Sequence, residues 1–373
     1  MPISLTIGTA QAQPGTLQYG RWEALKHPTG HDEFLPVIIA QGQQDGPCIW
    51  LTAGIHGNEH SGPLVLYELL TPDLVAELSG TIVAIPALSP AGLRTESRAP
   101  YHAPSDPNRM WPDGKPEKTP DLEKKQPSSL EQAYARLFDE ILQTADYLID
   151  FHNTWPHSMP FAFQDRVLYR PGEDEAINRL EAETLAARLD EMLHAFGHTI
   201  IREFPASKYI DADLHRSTSG AALLLGRIPA FTVELGTGIM PDLAMIKAAA
   251  AGTRNVLRWA AMLPGEPEPI AGIPVYNPGF PVRRSLAIRA EQAGVSFPCV
   301  KSGDPVKAGD LLAELRDIWG RPLPDGQIRA PGDGLVLSPA YGIFFYPGQT
   351  LIHLGVRDEE ALVGLYPEDY FTA

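Results

Sequence analysis

Residues 47–62 read PCIWLTAGIHGNEHSG, and the change of character inside this stretch decides the fold. PCIWLTAG (47–54) is a compact apolar run that stops at a glycine, the pattern of a buried strand. HSGPLVLYELL (60–70) follows with apolar residues at helical spacing. The turn between them carries an imidazole, His56, and a carboxylate, Glu59.

The same alternation continues downstream. GTIVAIPAL (80–88) reads as a second buried strand, and SLEQAYARLFDEILQTA (129–145) as an amphipathic helix with a serine cap. DYLIDFH (146–152) is another strand, and residues 174–197 form a helix rich in strong formers. IPAFTVELG (228–236) is a strand, and PDLAMIKAAAAGTRNVLRWAAML (241–263) a long helix. Apolar strands alternating with helices imply an α/β fold, a parallel or mixed sheet flanked by helices. In such sheets ligands sit beyond the carboxyl ends of the strands.

The first 45 residues read as short strands and turns. The stretch 89–128 is rich in Pro, Ser, Asp and Lys and too long for a plain connector, so it is expected to carry function. PGEPEPIAGIP (264–274) is a proline-rich linker. The expected layout is an α/β domain over 1–263 and a smaller C-terminal all-β domain over 275–373. VKSGDPVKAGDLLAEL (300–315) and IRAPGDGLVL (328–337) are similar to halves of a biotinyl/lipoyl-type barrel. The modifiable lysine of its Met-Lys-Met turn is missing, which argues against a carrier role.

Composition narrows the function classes. The chain has 373 residues, 46 acidic against 30 basic, and a formal net charge of -16. Such a surface repels phosphate backbones and anionic membranes, so no nucleic acid and no membrane partner is expected. Cys48 and Cys299 form no CxxC pair, which suits a reducing compartment. The N-terminal MPISLTIGTAQAQPG lacks a signal-peptide pattern, and no apolar stretch of about 18 residues is present, so a cytoplasmic location is expected.

Chemistry concentrates at strand ends. His56 and Glu59 lie on a glycine-flanked turn, and a neutral imidazole and a carboxylate are good zinc ligands. His152 ends the strand DYLIDFH and supplies a third donor. Three protein ligands leave one position for water, the catalytic zinc pattern. Glu234 ends a third apolar strand, where a carboxylate needs a partner or a task, such as general base. In the long loop, Arg109 can clamp a carboxylate, Asn108 can add a hydrogen bond, and Arg98 can hold an oxyanion, with Arg94 as its competitor. His60 and His102 lie close to these motifs; His194, His198, His215 and His353 read as structural or surface residues. No GxSxG, HExxH, P-loop or GxGxxG occurs.

HGNEHSG (56–62), DPNR (106–109), DFHNT (150–154) and VELG (233–236), in that order, resemble the succinylglutamate desuccinylase/aspartoacylase family. The resemblance spans roughly residues 35–260. It implies a zinc-carboxypeptidase-like fold with a two-domain layout and one zinc per chain, bound by His56, Glu59 and His152. It further implies Glu234 as catalytic acid/base, Asn108 and Arg109 as the pair binding a substrate carboxylate, and Arg98 as the oxyanion arginine. Pro107 departs from the leucine-like residue common before the Asn-Arg pair, and the loop after it is long and charged. The activity implied is hydrolysis of an amide bond in a small carboxylate-bearing N-acyl amino acid. Glu234 would take the proton of a zinc-activated water and return it to the leaving amine. The rival readings are a peptide carboxypeptidase on the same scaffold and a non-catalytic small-molecule binder. Cobalt or another divalent ion would also suit the donor set, and homo-oligomer formation is left open.

Overall fold

The computed structural model describes residues 5–115, 127–236, 240–285, 287–339, 344–368 and 370–371. The charged centre of the long loop (116–126) and residues 237–238 after the VELG motif lie outside the described residues.

Two long antiparallel strands, β1 (Thr16–Lys26) and β2 (Asp32–Gln41), occupy the region read as short strands and turns. Gly20 and Pro36 interrupt the strand signal there. Pro36 precedes the part of β2, Ile38–Gln41, that pairs with its other neighbour, so its missing N–H costs that ladder nothing. Next come β3 (Gln44–Ala53), α1 (Ser61–Leu69) and β4 (Ser79–Ile85). They are followed by α2 (Ser129–Thr144), β5 (Tyr147–His152), β6 (Phe161–Gln164) and α3 (Glu175–Phe196). Then come β7 (Ile200–Arg202), β8 (Ala230–Glu234) and α4 (Leu243–Trp259).

The expected helices form for the expected reasons. α2 starts with a full capping box: the Ser128 side chain accepts from the Glu131 N–H, and Glu131 accepts from the Ser128 N–H. Its buried face, Leu130, Tyr134, Leu137 and Ile141, follows the spacing of one helical stripe.

In space the strands run β1-β2-β4-β3-β5-β8-β6-β7. β4, β3, β5 and β8 are mutually parallel, while β8 meets β6 antiparallel. The fold is therefore an α/β mixed sheet flanked by helices. Trp50, Leu51, Ile149, Phe151, Phe231 and Val233 from the three central strands are at most 1% exposed. Burying each contributes on the order of 1.5–3 kcal/mol.

After α4 the regular elements among the described residues are strands. β9 (Val282–Arg284), β10 (Gly334–Pro339) and β11 (Thr350–Arg357) extend the main sheet beyond β7, with β9 parallel to β7. β12 (Val363–Leu365) returns to pair with Val167–Tyr169. Leu312, Val336, Leu351 and Ile352 belong to an apolar cluster separate from the main core. A third cluster joins Phe161, Phe163 and Ile201 to Val282, Leu335 and Leu337, so the C-terminal strands pack on the α/β part through apolar surface. No helix of the described residues is long and apolar enough to cross a membrane.

Candidate active site

The parallel register of the central strands brings the sequence motifs together. Ala53 pairs with Phe151, and His152 pairs directly with Glu234, so β3, β5 and β8 end at one place. At the end of β3 the chain turns through Gly54 at φ +65°, a conformation that favours glycine. A side chain on Gly57 would put its Cβ 1.9 Å from the backbone carbon of Gly92. The turn is thus pressed against the 90–95 helical turn, and His56 and Glu59 project from it to the same point.

His56 Nδ1 lies 2.7 Å from Glu59 Oε1, and His152 Nδ1 lies 2.9 Å from Glu59 Oε2. All three residues are buried, and their ligating atoms lie within 4.8 Å of one another. The far ring nitrogens are also held: His56 Nε2 by Asp106 at 2.9 Å, and His152 Nε2 by Asp150 at 2.7 Å. A carboxylate on Nε2 fixes the tautomer whose Nδ1 lone pair points inward, the arrangement that supports a metal-ligating histidine. Three carboxylates, Glu59, Asp106 and Asp150, face these rings, with Arg98 bridging Glu59 and Asp106, an acidic surround that favours a divalent cation between the imidazoles. The residues present therefore fit zinc in ligand type, burial and charge.

Sequence reading missed Asp106, Asp150 and Asn153. Asp150 is fully buried, accepts from the Thr52 hydroxyl at 2.7 Å and orients His152. It stands two residues before His152 on the same strand, hence on the same face, and that spacing was the available signal. Asp106 caps the short 107–109 turn and also takes Arg98 Nη2 at 2.7 Å. The Asn153 N–H donates to Glu59 at 3.0 Å, and its side chain ties Ser61 to the carbonyl of Gly236.

The expected partners lie around one cleft of about 700 Å³, whose wall includes Arg98, Asn108, Arg109 and Glu234. Arg98 Nη1 stands 3.5 Å from Glu59. Asn108 Oδ1 accepts from the N–H and hydroxyl of Thr218, and its amide nitrogen lies 3.4 Å from His152 Nε2. Arg109 donates to the carbonyls of Ala212 and Asn108. Arg94 is turned elsewhere, onto Glu33 at 2.8 Å. His60 braces the turn through the Gly57 carbonyl, and His102 sits beside Glu33. His353 stacks on Trp155, and His215 meets Tyr370 edge-on.

Charge states follow from the packing. Burial pushes the Glu59 carboxyl up, but His56 and His152 together outweigh it and hold it well below the usual range. For His152, burial opposes the cation, and Asp150 and Glu59 reverse that and raise its pKa. Burial raises Glu234 to about 7, helped by Glu59 and opposed by His152. Its Oε2 is buried without a hydrogen-bond partner, so the carboxyl is free to act on something bound in the cleft.

An α/β sheet whose parallel strand ends present two histidines and a glutamate, with a second glutamate unpaired at Oε2 on the same cleft, is a hydrolase-type layout. The model of the succinylglutamate desuccinylase/aspartoacylase catalytic domain matches residues 45–260, and the chain belongs to that family. It is 23% identical over 362 residues to the N-alpha-acetyl-L-2,4-diaminobutyric acid deacetylase of Halomonas elongata, covering 94% of each chain. Among solved structures it resembles a succinylglutamate desuccinylase/aspartoacylase from Rhodobacter sphaeroides, with TM-score 0.69, 19% identity, and coverage of 92% of this chain and 96% of that one. It also resembles the product-bound ectoine utilization protein EutE (DoeB) of Ruegeria pomeroyi, with TM-score 0.68, 21% identity, and coverage of 91% and 95%.

Proposed function

We propose that this protein is a zinc-dependent deacylase that hydrolyses the amide bond of a small N-acyl amino acid. The observation that carries the reading is the unpartnered Glu234 carboxyl on the same cleft as the His56–Glu59–His152 donor set. Zinc held by those three residues would supply a Lewis acid and a water acidified toward neutral pH.

The chain's own groups do the rest. Glu234, with a pKa raised to about 7, is matched to taking a proton near neutral pH and returning it to the leaving amine. Arg98 presents a guanidinium at the mouth of the donor set, where it stabilises an oxyanion. Asn108 and Arg109 anchor the substrate carboxylate and so place the acyl carbonyl. Asp106 and Asp150 keep the two imidazoles oriented.

The far wall supports a narrower substrate class. Asp165 and Glu203 are both buried and line the cleft; Glu203 is paired with Arg284 at 2.8 Å. Burial and the neighbouring Glu203 push Asp165 up to about 8, against the opposing pull of the Ser219 hydroxyl and Arg284. A substrate ammonium placed beside Asp165 and Glu203 would draw off the Asp165 proton and pair with the two carboxylates, which favours an acylated diamino acid, the substrate type named for the Halomonas relative.

The test is turnover of purified protein after chelation and after zinc restoration, on N-acetyl-diaminobutyrate, N-acetylaspartate and a short peptide. Zinc-dependent release of acetate from the first, with little from the other two, is expected. Peptide trimming without deacylation would replace this reading with a carboxypeptidase, and no turnover with zinc bound would leave a non-catalytic binder.

A further inference from the structure

The described residues contain a second group of two histidines and one glutamate, outside the cleft. His27 follows β1 in the hairpin turn, Glu33 is the second residue of β2, and His102 lies in the loop that carries Arg98. Their ligating atoms also lie within 4.8 Å of one another. Glu33 is only 4% exposed, and the two imidazoles are partly buried.

Hydrogen bonding does not explain this group. His27 Nε2 is 3.8 Å from Glu33 Oε2, and His102 Nε2 is 3.7 Å from Glu33 Oε1, both beyond hydrogen-bond range. Both Nε2 atoms are buried without a partner, a costly state for a polar atom. Arg94 already places one cation on Glu33, and the two rings lie 5.2 Å apart. Protonating both rings would set three cations around one carboxylate, so pairing with Glu33 alone does not account for the two buried Nε2 atoms. Bonds of about 2.1 Å at tetrahedral angles hold neighbouring ligand atoms about 3.4 Å apart. The two imidazole–carboxylate separations, 3.8 and 3.7 Å, sit slightly wider than that edge.

We propose that His27, Glu33 and His102 form a second divalent-metal site, of a type that takes zinc, which pins the β1–β2 hairpin to the loop bearing Arg98. Two imidazoles and one carboxylate are the donor chemistry of zinc, and cobalt is its spectroscopic substitute. His102 lies four positions after Arg98, and Arg98 bridges Glu59 and Asp106. An ion at His102 therefore restrains the segment that delivers this guanidinium to the cleft. Its role is to position, since among the described residues no unpaired carboxyl comparable to Glu234 stands beside it.

The experiment is metal stoichiometry of full-length protein, stripped and then equilibrated with zinc alone, with cobalt absorption as a second readout. Two ions per chain are expected in the parent. One is expected in His102→Ala, in His27→Ala and in His56→Ala, and none in the His56→Ala/His102→Ala double variant. Zinc should raise the melting temperature of His56→Ala but not of the double variant, and His102→Gln serves as the milder change if His102→Ala folds poorly. One ion in the parent, retained by His102→Ala and lost in His56→Ala, overturns the proposal. One ion retained by His56→Ala and lost in His102→Ala would instead uphold it while removing the catalytic site's claim to zinc.

Discussion

The two His–Glu–His groups use the same side chains and differ in everything around them. At the strand ends, Glu59 sits 2.7 and 2.9 Å from its imidazoles, and each outer ring nitrogen is held by an aspartate. At the hairpin, Glu33 stands 3.7 and 3.8 Å from its imidazoles and leans on Arg94. The first group opens on a cleft shared with Glu234, Arg98 and Arg109; the second fastens a hairpin to a loop. Donor type and spacing suit a group to a metal. A reaction also needs a base of matched pKa, a cation for the developing oxyanion and room for substrate, all convergent on one point.

Breaking the catalytic half of this contrast should give the largest effect. Glu234→Gln keeps the shape and removes the base, so kcat should fall by roughly 10²–10⁴-fold. Zinc content should stay at the parental level; loss of metal in this variant would show Glu234 to be a ligand instead. Next in size is the aspartate support that only the strand-end group has. Asp150→Asn should weaken zinc affinity by about 10–100-fold at that site alone. A competition titration against a chelator would show this, and equal weakening of both sites would erase the distinction drawn here. The smallest effect is on pH dependence in metal-free protein. Burial lowers the His102 pKa despite Glu33, whereas His152 is raised by Asp150 and Glu59 against the effect of burial. A lowered folded-state pKa contributes stability that is present above about 6.5 and lost as pH falls below it. A raised one contributes stability that is present below about 6.5 and lost as pH climbs through the higher folded value. Urea titrations between pH 5 and 8 should therefore show a shallower acid-side loss in His102→Gln than in the parent. An unchanged slope would mean that His102 does not titrate differently on folding.

The residues that ended up together were legible to unequal degrees. His56, Glu59, His152 and Glu234 each end or follow a strand recognisable as an apolar run, so their placement at one edge of a sheet followed from the α/β pattern. Asp150 was hidden because it lies inside such a run, DYLIDFH, where its neighbours are all apolar. Asp106 was hidden as the residue before Pro107, where an aspartate reads as an ordinary turn cap. Arg98 and Arg94 were indistinguishable by spacing. Glu33, some sixty residues away in the chain, is what takes Arg94 out of the cleft.

Local sequence settled the buried strands, the helix caps and the chemical inventory, because apolar periodicity, capping residues and ligand types act over a few neighbours. It could not supply the order β4-β3-β5-β8 or the register that sets His152 against Glu234. Nor could it supply the meeting of residues 27, 33 and 102. Those depend on which strands pair and how loops return, and such contacts form between segments far apart in the chain, whose free energy no local window contains.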